Sequence, residues 1–166
     1  AGVHKELRKM IKPGLDTWDI ELFARRYIKE HNAYPSEMGF DGYKFATCIS
    51  INDEVAHGIP RKGLKLKNGD VLKVDMCVNK DGFESDSYWT YAVGDVSPEI
   101  QKLMEVTRKG LYLGIDQAVI GNRLGDIGNA IQTYVEDENH MGDVRELIGH
   151  GIQPSIHEEP NVPAYG

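Results

Sequence analysis

Apolar residues recur at intervals of three and four in three segments of the chain, a spacing typical of amphipathic helices. The first helix, which we expect Thr17 to cap, has its periodic positions at Ile20, Phe23, Ala24, Tyr27 and Ile28. The second starts at Ser97-Pro98, a common pair of cap and first helical residue, and continues to Gly121. The third starts at Leu124 and ends in the polar stretch EDENH.

Three further segments, 47–51, 71–78 and 83–93, have the composition and alternation of β-strands. Turn-forming Asn, Asp, Gly and Pro residues separate them. Helices and strands come in blocks, which favours an α+β fold over a regularly alternating parallel sheet. A length of 166 residues is typical of one domain.

The last two strands form a predicted β-hairpin that contains two aspartates, Asp75 and Asp86. A four-residue loop at 79–82 would place them directly opposite each other, with Cβ atoms about 4.5 to 5.5 Å apart. A two-residue loop, Asp81-Gly82, would make them diagonal neighbours on the same face. Carboxylates this close require a shared proton or a cation, and they suit a site for two divalent metals. The alternative is that one aspartate faces solvent or caps a turn.

Composition narrows the classes of function. Hydrophobic residues at 40% and charged residues at 27% are ordinary for a globular protein, which excludes a disordered chain. The formal net charge of -7 disfavours nucleic acid as a partner. Cys48 and Cys77 show no CxxC spacing, so we expect reduced thiols in a cytoplasmic protein. The apolar runs are short and interrupted by charge, so no signal or membrane segment is expected.

Three histidines lie in constrained contexts: His57 in EVAHGIP, His150 in GHG and His157 in IHEEP. Taken singly, each is more typical of a hydrogen-bonded loop histidine than of a metal ligand. The glycines on both sides of His150 allow a close approach of the backbone, which a ligand in a crowded pocket requires. Together with the two aspartates, the three segments indicate a metal site.

The order CISINDEVAHGIP, then VDM with a second aspartate eleven residues later, then GHGI and HEEP, resembles the methionine aminopeptidases, most closely the type I bacterial enzymes. The resemblance covers nearly the whole chain. It implies a "pita-bread" α+β fold, in which two pseudo-symmetric halves enclose two divalent metal ions (Co, Mn, Fe or Zn).

The resemblance also implies roles for individual residues. Asp75 is similar to the carboxylate that chelates one metal, Asp86 to the one that bridges both, and His150 to the imidazole ligand of the other metal. His57 and His157 resemble the catalytic histidines that contact the substrate and the developing tetrahedral intermediate. The residues similar to those that line the methionine side-chain pocket are Phe40, Tyr43, Cys48 and Ile156.

The implied activity is removal of the N-terminal methionine from peptides and nascent chains with a small second residue, by attack of metal-bound hydroxide. The ribosome is an implied partner, and a cytoplasmic monomer with no membrane association is expected. In the family a glutamate acts as the general base.

Two features depart from the family pattern. Three of five expected metal ligands are present, because the family supplies two further glutamates downstream of HEEP and the sequence ends at Gly166. Glu158 and Glu159 belong to HEEP and do not replace them. We therefore expect residues 1–166 to form a single catalytic domain that is incomplete at its C-terminus and binds metal weakly or not at all. The second departure is Gln153, where GHGIG is usual.

Other functions stay open at this point. An X-Pro aminopeptidase or dipeptidase shares the fold and the metal ligands, although HGIP and the GFDGY segment favour the methionine-specific branch. A fold relative without metals, acting as a protein-binding module, is the alternative from another class. A third interpretation is that this chain by itself is inactive because it is truncated.

Overall fold

The computed structural model describes residues 1–166 and consists of two compact units. The first unit comprises residues 1–97 and 153–156, and the second comprises residues 98–152 and 157–166. The expected single domain stays a prediction. No helix combines the length and the apolarity needed to cross a lipid bilayer.

The first unit contains helices α1 (Gly2–Met10) and α2 (Thr17–Glu30). The predicted N-cap of α2 is wrong by one residue, because the side chain of Asp16 accepts a hydrogen bond from the Trp18 N–H at 2.9 Å. Thr17 is buried instead, and its hydroxyl donates to the Arg61 carbonyl at 2.8 Å. The helix α1 was not predicted.

Four antiparallel strands form the sheet of this unit: β1 (Tyr34–Pro35), β2 (Cys48–Ile51), β3 (Val71–Lys80) and β4 (Phe83–Ala92). β3 is central, since β1 and β2 pair with different parts of it and β4 pairs with its whole length. The three predicted strands are therefore confirmed, with ends shifted by one or two residues. β4 has no strand on its outer edge.

The hairpin has a two-residue loop. Lys80 pairs with Phe83, so Asp81 and Gly82 alone connect the strands, and both have positive φ angles of 55° and 86°. This combination is typical of a type I′ turn. Of the two loop lengths left open by the sequence, the structure has the two-residue loop, whose twist matches the right-handed twist of the strands.

The hydrophobic core of the first unit lies between the helices and one face of the sheet. Alternate residues of β3 point towards it, among them Leu72, Val74 and Met76. From the helices, Leu7 and Ile20 are fully buried in the same cluster. Because side chains alternate along a strand, the residues between these positions, including Asp75, face the other side of the sheet.

The second unit contains helices α3 (Pro98–Asp116) and α4 (Leu124–Gln132), and α4 continues into a π-helical turn (Thr133–Glu138). α3 ends before the predicted Gly121. The two helices pack closely where α3 carries a glycine, since a Cβ on Gly114 would lie 2.7 Å from Ile131 Cδ1. A two-stranded antiparallel sheet, β5 (Gly149–Gly151) and β6 (Glu158–Val162), completes the unit, with a bulge after His150.

Candidate metal and substrate-binding residues

The two hairpin aspartates lie on one face of the first unit's sheet. Asp75 pairs with Tyr88, and Asp86 pairs with Cys77, so the aspartates are diagonal neighbours. Cα atoms in this relation are about 7 to 8 Å apart. Direct opposition is therefore wrong, and the diagonal arrangement expected for a two-residue loop is confirmed. Asp75 is half-buried, with its Oδ1 atom shielded from solvent, whereas Asp86 is exposed.

A third carboxyl group, that of Glu37, lies near this face. Its Oε2 atom accepts a hydrogen bond from the Cys48 thiol, with Sγ 3.6 Å away. Burial, and then the negative charges of Asp75 and Asp86, raise the pKa of Glu37 to about 8. This residue was not predicted. Its only signal was its position two residues before GFDGYKFATC, the segment that resembles the substrate pocket.

The two thiols on this face are neutral at neutral pH. Burial and the nearby Glu37 raise the pKa of Cys48 to about 12, and burial together with the charge of Asp86 raises the pKa of Cys77. Both cysteines are free and buried. Negative charge on this face therefore resides on carboxylates, which are hard oxygen ligands. Carboxylate oxygens are the type of donor that divalent cations prefer.

The four candidate pocket residues all belong to the first unit. Tyr43 is half-buried, and its hydroxyl donates to the Thr47 carbonyl at 2.9 Å. Cys48 and Ile156 are buried, whereas Phe40 is exposed in a short 3-10 turn, Phe40–Gly42. Their role in binding methionine stays a prediction.

His57 is exposed and has an unusual backbone conformation, with φ at 59°. Gly58, the next residue, is tied to β2: its N–H donates to Ser50 Oγ at 3.0 Å, and its carbonyl accepts from the Ile49 N–H at 2.7 Å. A Cβ on Gly58 would lie 2.2 Å from the Ile49 carbonyl oxygen. Gly58 therefore packs closely against β2. This packing holds the preceding residue, His57, in a backbone conformation that is strained for a residue with a side chain.

His150 and His157 lie together in the second unit. Their rings meet edge to face, with centroids 4.4 Å apart. His150 Nδ1 lies 3.0 Å from the Gly151 carbonyl oxygen. A carbonyl can only accept, so Nδ1 carries the proton, and in the neutral ring Nε2 then bears the lone pair that a metal ion would bind.

The glycines beside His150 confirm the expected close approach of the backbone. A Cβ on Gly149 would lie 2.9 Å from the Val162 carbonyl oxygen, and one on Gly151 would lie 2.3 Å from that of Glu159. Both carbonyl oxygens belong to strand β6. Side chains at these two positions would force the strands apart, so the GHG pattern fixes the backbone that carries His150.

The predicted metal ligands are divided between the two units, with both aspartates in the first and His150 in the second. Neither unit contains a group of three or more His, Cys, Asp or Glu side chains arranged to hold a metal ion. The assignment of these three residues as ligands therefore stays a prediction.

Comparison with known proteins defines the class of this molecule. Residues 1–166 match the sequence profile of metallopeptidase family M24. The chain belongs to this family.

The chain is similar to methionine aminopeptidase 1 of Bacillus subtilis, with 45% identity over 100% of this chain and 66% of that protein. It is also similar to the crystal structure of methionine aminopeptidase from Rickettsia prowazekii, with a TM-score of 0.95, 36% identity, and coverage of 99% of this chain and 66% of the other. The resemblance seen in the sequence is confirmed. The chain spans 64% to 66% of the length of three curated relatives named methionine aminopeptidase.

A more distant likeness concerns the fold alone. The prolidase from Pyrococcus furiosus superimposes with a TM-score of 0.82 at 18% identity, covering 99% of this chain and 48% of that one. Methionine aminopeptidases and prolidases share the pita-bread fold, so the predicted α+β fold class is confirmed.

Proposed function

We propose that this protein is a metal-dependent aminopeptidase that removes the N-terminal methionine from peptides and nascent chains whose second residue is small. Membership of family M24 and the identity to proteins named methionine aminopeptidase support this proposal. The observation that carries it is the placement of Asp75 and Asp86 as diagonal neighbours on one face of the β3–β4 hairpin.

In this proposal Asp75, Asp86 and His150 hold two divalent ions, of Co, Mn, Fe or Zn. When bound, such ions lower the pKa of coordinated water and polarise the scissile carbonyl. The aspartates provide the negative charge that offsets the ions. His150 contributes Nε2 as the acceptor nitrogen, because its Nδ1 proton is committed to the Gly151 carbonyl.

Two histidines serve the reaction directly. We assign His57 and His157 as hydrogen-bond donors to the carbonyl oxygen, on which negative charge develops, or to the departing amide. The strained backbone conformation of His57 fixes the direction of its Cα–Cβ bond. A donor that is already oriented needs no reorganisation during the reaction, which is where such groups contribute most.

Substrate selection follows from the segment around Tyr43. Phe40, Tyr43, Cys48 and Ile156 provide an aromatic and apolar lining for the methionine side chain. The proposal includes action on nascent chains at the ribosome, by a monomeric enzyme in the cytoplasm.

Prolidase-type activity and a metal-free binding role have weaker support. The prolidase likeness is limited to the fold at 18% identity, whereas relatives named methionine aminopeptidase reach 45%. Both aspartates of the hairpin are retained on one face, which a binding module without metals would not require.

The decisive experiment measures the methionine that the full-length protein releases from a Met-Ala-Ser peptide in the presence of Mn²⁺ or Co²⁺, with and without EDTA. We expect release that EDTA abolishes, little release from Met-Lys-Ser, and none from an Ala-Pro dipeptide. Asp86→Asn should lower the rate by at least about 100-fold, since it removes a charged metal ligand. The exposed turn variant Asp81→Asn is the matched control and should retain the rate. Absence of release with Mn²⁺, Co²⁺, Fe²⁺ and Zn²⁺ would reject the proposal.

A further inference from the structure

The first unit buries one carboxylate that the proposed mechanism does not use. Glu21, on α2, has no solvent exposure. One of its oxygens accepts from the Ala46 N–H at 2.8 Å and from Arg25 Nε, and the other accepts from the Thr47 hydroxyl. A buried charge is tolerated only when it is paired and hydrogen-bonded, and these three donors meet that condition.

Helix α2 also contacts residues 44 and 45. Arg25, one turn after Glu21, donates from Nη2 to the Lys44 carbonyl at 2.9 Å. Trp18, also on α2, meets the ring of Phe45 edge to face, with centroids 6.0 Å apart. Residues 44–47 are therefore fixed to α2 through backbone, side-chain and ring contacts.

Residues 43–48, here called the pocket segment, contain two of the proposed methionine-binding residues. The Tyr43 hydroxyl donates to the Thr47 carbonyl at 2.9 Å, and Cys48 directly follows Thr47. The hydroxyl group of Thr47 in turn donates to Glu21. Displacing Thr47 would therefore move both Tyr43 and Cys48.

We propose that Glu21 is a positioning residue for the substrate pocket: its buried carboxylate binds Ala46 and Thr47 and thereby fixes Tyr43 and Cys48 at the methionine side chain. The identity of the pocket rests on the proposed function, whereas the positioning of the segment does not. A carboxylate suits this position because its two oxygens accept donors from Ala46, Thr47 and Arg25, and a glutamine keeps one of these two acceptors.

Hydrogen exchange at the Ala46 amide tests the positioning step, because that N–H donates directly to Glu21. We expect slow exchange in the wild type and in Glu21→Gln, whose amide oxygen still accepts. In Glu21→Leu, exchange should be at least about tenfold faster, because the acceptor is lost. The Ile49 amide, which donates to the Gly58 carbonyl, reports whether the fold is intact. Glu30→Leu, an exposed change on the same helix, is the matched control and should leave the Ala46 amide unchanged.

An unchanged Ala46 amide in a folded Glu21→Leu protein would overturn the proposal. If that variant does not fold, Thr47→Val serves instead, because it removes only one donor to Glu21. It should shift the ring resonances of Tyr43 in the NMR spectrum, and unchanged resonances would overturn the proposal.

The consequence for substrate binding is measured by methionine release from Met-Ala-Ser. We expect Glu21→Leu to raise KM by about tenfold with a smaller effect on kcat, and Glu21→Gln to restore KM towards the wild-type value. An unaltered KM in a variant with fast Ala46 exchange would overturn the link between the segment and the pocket. If the wild type releases no methionine, the proposed function fails, and the Ala46 measurement still decides whether Glu21 positions the segment.

Discussion

The carboxyl group of Glu37 is a sensitive reporter of the charges on the two hairpin aspartates. Its pKa of about 8 results first from burial and then from Asp75 and Asp86. We expect Asp75→Asn to lower the pKa of Glu37 by about one unit, because it removes the larger of the two repulsive charges. The pKa should stay above the ordinary value, since burial persists. A ¹³C NMR titration of the Glu37 carboxyl measures it.

The matched control for this titration is Asp53→Asn, which alters an exposed aspartate elsewhere in the first unit and should leave the pKa of Glu37 unchanged. Equal titration curves for wild type and Asp75→Asn would contradict the prediction. Addition of Zn²⁺ should also lower the pKa of Glu37 if the aspartates bind it, because a bound cation offsets their repulsion.

Individual residues of the candidate site were predictable to different degrees. Asp75 and Asp86 stood out because charged side chains interrupt apolar strands, and the alternation of a strand then assigns them to one face. Glu37 carried no such signal, since its contacts with Cys48 and the aspartates join distant parts of the sequence. Asp16 and Thr17 are both good capping residues. Asp16 is the cap because the Thr17 hydroxyl is buried and donates to the Arg61 carbonyl.

Among the elements, the β3–β4 hairpin depends on its turn. Asp81 and Gly82 both have positive φ angles, a conformation that L-residues other than Asn and Asp adopt at a cost. We expect Gly82→Ala to lower the free energy of unfolding by about 1 kcal/mol, while Asp81→Asn is neutral. Urea denaturation followed by fluorescence measures both. Both tryptophans, Trp18 and Trp89, belong to the first unit, so the signal reports that unit.

Gly125→Ala is the control for replacing a glycine by alanine at a position without a positive φ angle. Gly125 lies in α4, and a Cβ there meets nothing within 4 Å. This substitution should be neutral or slightly stabilising in urea denaturation followed by far-UV circular dichroism, which reports the helices of the second unit, because alanine favours helix. If Gly82→Ala proved as stable as the wild type, the type I′ turn would be wrong.

The elements also show where pattern reading succeeds. Long periodic segments predicted α2, α3 and α4, and alternation predicted β2, β3 and β4. Hydrophobic pattern alone did not distinguish a two-residue from a four-residue loop, since either one keeps Asp75 and Asp86 on one face. The helix α1 was missed because it has only three large apolar residues, Val3, Leu7 and Met10, among mostly charged ones, which is a weak periodic signal. The strands β1, β5 and β6 are too short to show alternation.

For the molecule as a whole, a buried histidine couples folding to pH. His4 on α1 has no solvent exposure, and its ring stacks on Trp89 with centroids 4.9 Å apart. Its Nε2–H donates to the Ser87 carbonyl at 3.1 Å, and its Nδ1 accepts from the Tyr91 hydroxyl at 2.8 Å. Burial lowers the pKa of His4 to about 4.

This depressed pKa gives a signed prediction. Between about pH 6.5 and pH 4 the unfolded chain binds a proton at His4 that the folded protein does not bind. The stabilisation from neutral His4 is therefore complete above pH 6.5 and is lost as the pH falls towards 4, by on the order of 3 kcal/mol. Urea denaturation of the first unit at pH 7, 5.5 and 4 measures it.

His4→Gln should flatten this pH dependence, because glutamine does not titrate. His140→Gln, at an exposed histidine, should retain it. The same pH dependence in His4→Gln as in the wild type would assign the effect to other groups.

Local composition did not mark the division into two units, and only the family resemblance, with its two halves, implied one. Neither the junction at residues 97 and 98 nor the short return at 153–156 differs in composition from its surroundings. Periodicity and local composition report on elements, whereas the grouping of elements depends on contacts between distant residues.

The position of His4 also protects the sheet. β4 has no strand on its outer side, and the imidazole from α1 supplies a donor to a backbone acceptor, the Ser87 carbonyl, in the middle of that strand. An uncovered strand edge recruits strands from other molecules and starts aggregation. Proteolytic cleavage within the first ten residues would therefore also expose the edge of β4 to intermolecular strand pairing.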